Sequence, residues 1–358
     1  MSTLAEQRKT GFVRRPNSLP FFASLFLLLL IAALGSLTVG AAGIPLPRLL
    51  AVFGIGATDP ALAARDEVVL WAIRIPRIVL AGLVGAMLAG AGTAMQGLFR
   101  NPLADPALVG VSSGAALAAA VTIVVGDRFL TADVMSVPVE VLPFAAFGGG
   151  LLTTILLYRI ATSYNRTSIA VFLLGGIAIA ALAGAGLGLL IFLANDQQLR
   201  DINFWMLGSL SGATWGKVVA IFPFFIAAVV VSIIVARGLD LLALGESEAY
   251  HSGFSVERLK RMTIIVIAAA TGAAVSVSGV IGFVGIVVPH LLRLVIGPGH
   301  RRLLPASFLL GAALMMTADS AARVIVAPAE LPIGIITALI GAPFFLYLLL
   351  RQRSLVSL

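Results

Sequence analysis

The chain has 358 residues, 60% of them hydrophobic and only 11% charged, with a formal net charge of +8 and no cysteine. Its mean hydropathy of +1.08 excludes a protein folded in water, and the missing thiols exclude disulfides and thiolate metal sites. Apolar segments of roughly 20 residues suit helices, which satisfy their own backbone in lipid, whereas barrel strands need about 10 alternating residues. The expected fold is therefore an all-α polytopic membrane protein, one membrane domain over residues 1–358.

In chain order, a basic tail over 1–18 leads into a first apolar span, Leu19–Val39, too long for a signal-peptide core and without a small-residue cleavage site. The next four spans are Ile78–Leu98, Leu108–Val125, Val137–Ile160 and Ile169–Ala194. Then come Trp215–Ala236, Met262–Val280, Phe283–Ile296, Leu303–Val326 and Pro332–Leu350, about ten in all. Only Gly279–Gly282 separates the seventh from the eighth, so a nine-span alternative treats that stretch as one broken or re-entrant element.

Ten spans put both termini on one side. Placing them in the cytoplasm gathers Arg8, Lys9, Arg14, Arg15, Arg100, Arg159, Arg166, Arg237, Arg258, Lys260, Arg261, Arg301, Arg302, Arg351 and Arg353 there. The outside keeps Arg48, Arg65, Arg74, Arg77, Arg128, Arg200, Lys217 and Arg323, in line with the positive-inside rule. The basic balance is thus topology and requires no nucleic-acid partner. Glycine, at 37 residues, clusters at Gly82, Gly85, Gly90, Gly92 and Gly97, and again at Gly175, Gly176, Gly184, Gly186 and Gly188. Both clusters are expected to let helices approach closely.

Much chemistry is missing. There is no G-x-x-x-x-G-K-[ST] loop, H-E-x-x-H or G-x-S-x-G motif, and there are only three histidines. His251 and His300 fall in cytoplasmic loops; His290, after Pro289, reads as a packing residue rather than a ligand. Asp319 and Arg323 stand one turn apart and are expected to pair within their helix. An enzyme is not expected, and no cofactor or metal is expected on this chain.

Three stretches carry unusual punctuation. The first runs from Arg74-Ile75-Pro76-Arg77 to Asn101-Pro102-Leu103-Ala104-Asp105-Pro106, whose prolines force a tight reversal. The second, within residues 237–261, has short amphipathic helices broken at Gly245 and Gly253, a ledge suited to a soluble partner. The third is Gly279-Val280-Ile281-Gly282-Phe283-Val284-Gly285-Ile286-Val287-Val288-Pro289-His290, followed by Glu330-Leu331-Pro332-Ile333-Gly334.

From about Trp71 to Tyr347 these motifs, in this order, resemble the FecCD-like permeases. These are transmembrane subunits of ATP-binding-cassette (ABC) importers for haem, iron siderophores and cobalamin. The resemblance implies ten spans with an inverted repeat relating spans two to five to spans seven to ten. Gly92 and Pro102 are ten residues apart, as are Gly279 and Pro289, and an odd number of spans between them would reverse the copies. It also implies a homodimer in the inner membrane, contacting lipid, with two cytoplasmic ATPase subunits below and a periplasmic binding protein above. ATP and Mg then belong to the ATPase.

Residue roles follow from the same resemblance. Arg74, Arg77 and Arg323 match arginines that pair with carboxylates on the binding protein, a task suited to the guanidinium fork. Leu242, Leu244, Gly245, Glu246, Ala249 and Gly253 match the segment that couples to the ATPase. Thr167, Ser168 and Ile169 match the cytoplasmic gate, with Gly176 and Leu187 on the fifth span, beside a short helix around Asn203–Ser209, lining the path. Transport is expected by alternating access through a mostly apolar path that binds cargo weakly. Haem is the favoured cargo, with a ferric siderophore or cobalamin as alternatives. An ion-coupled secondary transporter, more distant, predicts uptake without any ATPase, and a receptor-like membrane protein predicts no flux.

Overall fold

A computed structural model of the protein describes residues 18–39, 45–52, 54, 60–130, 141–164 and 166–356. The expected tail and the start of the fourth span at Val137 lie outside these residues. The chain folds as α1 (Ser18–Thr38), α2 (Leu46–Val52), α3 (Pro60–Val68), a π-helical turn over Val69–Arg74, α4 (Ile75–Phe99), a 3-10 turn over Pro106–Val109, and α5 (Val111–Leu130). Next are α6 (Val141–Ala161), a hairpin of β1 (Thr162–Ser163) and β2 (Arg166–Thr167), α7 (Ile169–Leu193), α8 (Asp196–Leu207) and α9 (Trp215–Leu242). The chain closes with α10 (Glu246–His251), α11 (Val256–Ser278), α12 (Val284–Ile296), α13 (His300–Ile325) and α14 (Ile333–Val356).

Among the described residues, 7 helices are long and apolar enough to cross a membrane, and three shorter apolar helices lie in α5, α12 and α14. Together they coincide with the expected spans. The third begins later than expected, at Val111, because Gly110 takes a left-handed φ of 77° that no helix continues through. The seventh and eighth are separate helices. Between them Gly279–Phe283 enters the bundle without regular structure, and α12, with 13 residues, spans only about 20 Å against a hydrocarbon core of roughly 30 Å. Non-helical backbone at this depth is tolerated where protein buries it.

Helix α4 is the centre. It packs most heavily on α13, then on α9 and α11, with α12 beside it, and nearly every residue from Pro76 to Phe99 is buried. Lipid tails are as apolar as leucine, so helix association must come from close packing and interhelical hydrogen bonds. Both are present. Gly82, Gly85, Gly90 and Gly92 lie against Met316, Gly311, Phe308 and Gly285 in turn. Thr93 Oγ1 and Ser307 Oγ are 2.7 Å apart, and Gln96 Nε2 donates to the Gly285 carbonyl at 3.1 Å.

The second glycine cluster is mixed: Gly175 lies against Leu157 and Gly186 against Leu117, as expected of close packing. A Cβ at Gly184 or Gly188 would meet nothing within 4 Å, so these glycines leave an open helix face instead of a packed one. Helix α7 is held by α5 and α6 on one side only.

The reversal after α4 forms as the motif suggests. Arg100 adopts a left-handed cap at φ 51°, the Asn101 side chain accepts from the Leu103 amide, and Asp105 caps the 3-10 turn by accepting from the Ala107 amide at 2.7 Å. Burial pushes the Asp105 carboxyl above its ordinary range, and that hydrogen bond partly offsets the push.

Candidate functional site

Two constellations sit at opposite ends of the bundle. At one end Trp215, opening α9, donates to the Trp71 carbonyl before α4. At the other His300, opening α13, lies 2.7 Å from Asp240 near the end of α9.

The first end holds Arg74, Arg77 and Arg323 together, as expected, but not presented outward. Their exposures are 3%, 7% and 6%. Arg77 donates Nε and Nη2 to Asp319 at 2.8–3.0 Å and Nη1 to Glu330 at 2.9 Å. Arg323 pairs with Asp319 at 3.1 Å and also reaches the Val39 carbonyl and the Ser36 hydroxyl of α1. Arg74 donates to the Leu37 carbonyl. The three arginines expected to meet carboxylates of a binding protein are instead engaged by carboxylates and carbonyls of their own chain. A guanidinium shielded from water must find carboxylates or carbonyls of its own chain. The Asp319–Arg323 pair was legible at one-turn spacing. Its link to Arg77 crosses 242 residues and left no local signal.

The second end holds the ledge and the hairpin. Helix α9 continues to Leu242, so the first part of the 237–261 segment extends a helix of 28 residues. Gly245, at φ 147°, breaks it and starts α10; Gly253, at φ 85°, ends the next turn. The expected coupling residues divide by face. Leu242 and Ala249 are fully buried in one apolar cluster with Leu239 and Leu259, while Leu244, Tyr250 and Gly253 are exposed. Leu242 and Ala249 are thus corrected from contact residues to anchors of the ledge. Glu246 is half-buried and ion-paired with Lys260 at 2.9 Å.

The gate residues also divide. Thr167 is buried, Ile169 is half-buried, and Ser168 is exposed, its hydroxyl capping α7. Gly176 is buried, and Leu187 packs beside Ala120, Val124 and Ile202, so both face this chain's own core and not an open path. The uncovered residues of α7 include a stripe of Val171, Leu174, Ala178, Ala181, Ala185 and Phe192, at helical spacing and without a charge. The short helix after it is Asp196–Leu207, earlier than the expected Asn203–Ser209. A reciprocal Asn195–Gln198 capping box starts it, and Gly208 ends it. His290 packs edge-on against Phe344, with ring centroids 5.7 Å apart.

Residues 28–351 match the model of the FecCD transport family. The chain is 43% identical over 331 residues to the hemin transport system permease protein HmuU of Yersinia pestis, covering 92% of this chain and 95% of that one. It is 44% identical over 292 residues to the cobalamin import system permease protein BtuC of Halobacterium salinarum, covering 82% and 76%. Among solved structures, a transporter assigned to the metal-chelate ABC type, in an inward-facing conformation, superposes with a TM-score of 0.80 at 32% identity. That superposition covers 93% of this chain and 99% of the other.

Proposed function

Because this multi-span chain belongs to the FecCD transport family, we propose that it is the membrane permease of an ABC importer that carries haem into the cytoplasm. It works as a homodimer in the inner membrane with both termini cytoplasmic. Two ATPase subunits, which hold the ATP and Mg, contact the α10 end, and a periplasmic binding protein delivers cargo at the arginine end. The observation that carries the reading is the uncharged, uncovered stripe on α7. Facing its copy across a two-fold axis, it would form a smooth apolar path for a large flat ligand, held weakly enough to release it. The buried Arg74, Arg77 and Arg323 shape the docking end, and the exposed Arg65 and Arg200 offer guanidinium groups to carboxylates of the binding protein.

Ferric siderophores and cobalamin are the alternative cargoes, and the cobalamin permease relative supports the second. Ion coupling is disfavoured by the carboxylates. Among the described residues Asp66 and Asp319 are buried and each is already paired with arginine, Asp66 with Arg48 at 2.6 Å, while Asp105, also shielded from water, lies in the reversal after α4 and caps the 3-10 turn. Proteoliposomes holding the permease, its ATPase and its binding protein decide the matter. ATP-dependent uptake of haem, exceeding that of a ferric hydroxamate and of cobalamin, is expected. Uptake driven by a proton gradient with no ATPase present would overturn the reading.

The ATPase contact has its own test. Leu244→Asp and Tyr250→Asp change outward side chains and are expected to weaken ATPase association while leaving the thermal stability of the permease unchanged. Ala249→Trp overpacks a closed site, at a cost of about 1–3 kcal/mol or more, and is expected to lower stability first. Wild-type ATPase binding by both aspartate variants would remove α10 from the interface.

A further inference from the structure

A buried lysine joins the ledge to the gate. Lys260, on the first turns of α11, is only 3% exposed. Its ammonium reaches Glu246 at 2.9 Å, Glu257 at 3.1 Å and the Thr167 carbonyl at 3.2 Å. Glu257 in turn accepts from the Thr167 amide at 2.9 Å. An ammonium has three donors, and here each goes to a different element. Glu246 opens α10, Glu257 belongs to α11, and Thr167 closes the hairpin. Thr167 is fixed on its other side by pairing with Thr162, their hydroxyl oxygens 3.1 Å apart. It is followed by Ser168, which caps α7.

We infer that Lys260 is the positioning residue that couples α10 to the start of α7, so that a displacement of the ledge is carried through Glu246 and Glu257 to the hairpin and the path-lining helix. The inference rests on the reading of α10 as the ATPase-contacting element. The physical reason is the cost of letting go. A buried ammonium that loses either carboxylate is left partly uncompensated, so the ledge and hairpin are held to it and move together. A merely structural ion pair would also stabilise the permease, but nothing in its role would tie ATP turnover to transport.

The test uses the full complex of permease, ATPase and binding protein in proteoliposomes. Lys260→Met is expected to raise the ATP hydrolysed per molecule imported by at least about fivefold, the lower end of ordinary coupling energies, with ATPase still bound. Lys260→Arg keeps the charge and the donors, and should recover part of the coupling. The chain has no cysteine, so a spin label placed by Val171→Cys on the purified permease before assembly reports on α7 alone. Its line shape should change on trapping with ATP and vanadate in the Lys260 protein and stay unchanged with Lys260→Met. If Lys260→Met fails to assemble, Glu257→Gln, which leaves the Lys260–Glu246 pair in place, is read by the same two measurements. A stoichiometry within twofold of wild type together with a normal label response would overturn the inference. A wild-type complex that binds no ATPase and imports nothing on ATP addition would overturn the functional reading and this inference with it.

Discussion

Arg77→Met is expected to be among the most destabilising single changes in the permease. Asp319 is 1% exposed and is held by Arg77 and Arg323 together, and Glu330 takes the remaining guanidinium edge. Removing Arg77 leaves a buried carboxylate with half its compensation, and breaking a buried pair from one side costs about 3–5 kcal/mol. The loss is also architectural, because the network ties α4 to α13 and to the chain entering α14. Arg77→Lys should be intermediate, since an ammonium cannot reproduce the two-edged fork. Arg77→Met combined with Asp319→Asn should regain only part of the loss, because the buried Arg323 then keeps carbonyl and hydroxyl partners but no carboxylate. Thermal unfolding of the purified permease in nanodiscs measures all three. A melting temperature for Arg77→Met equal to wild type would show that the network carries little energy. For the same reason a charge reversal at Arg74 and Arg77 does not isolate docking: a fall in binding-protein affinity has to be compared with Arg65→Glu and Arg200→Glu, whose side chains are exposed.

Gly92→Val should rival it. A Cβ at residue 92 would enter the backbone of Gly285, its carbonyl carbon only 2.6 Å away. Backbone cannot rotate aside as a side chain does, so α12 must lift from α4 and lose the Gln96–Gly285 hydrogen bond. Overpacking costs of about 1–3 kcal/mol are a lower bound for such a clash. Gly184→Ala is the matched control, another glycine within an apolar helix but with open space around it. It should be neutral or gain up to about 1 kcal/mol from helix propensity. Expression level and thermal unfolding report both. Equal stability for Gly92→Val and Gly184→Ala would contradict the close contact of α4 with α12. A Gly184→Leu variant that stays stable yet loses transport would support a second copy facing α7.

The pairing of these two glycines shows where sequence reading runs out. Gly92 and Gly184 stand in similar runs of small and apolar residues, and the sequence marks both as close-packing positions. Only Gly92 is one. Which side of a helix meets a neighbour depends on which other helix arrives there, and a helix that is apolar all round carries no amphipathic mark to tell. Gly176 and Leu187, expected on the path, differ for the same reason: Gly176 is buried and Leu187 packs against α5 and α8. Lys260 reads in the sequence only as a cytoplasmic charge: its pair with Glu257 is one turn away, but Glu246 and Thr167 reach it from separate elements.

What the sequence determined alone is what local chemistry controls. The need to satisfy backbone groups within each segment forces helices, apolar length marks where they run, and Gly245 and Gly253 mark where they break. The Asp319–Arg323 pair follows from one-turn spacing, and the family motifs follow from their order. Tertiary structure decided which charges are spent inside the fold. In a low-dielectric interior an arginine seeks the nearest carboxylate in space, whatever its distance along the chain. Hence Arg77 turns inward to Asp319 and Glu330, Lys260 gathers the ledge and the hairpin, and α7 keeps an apolar face open.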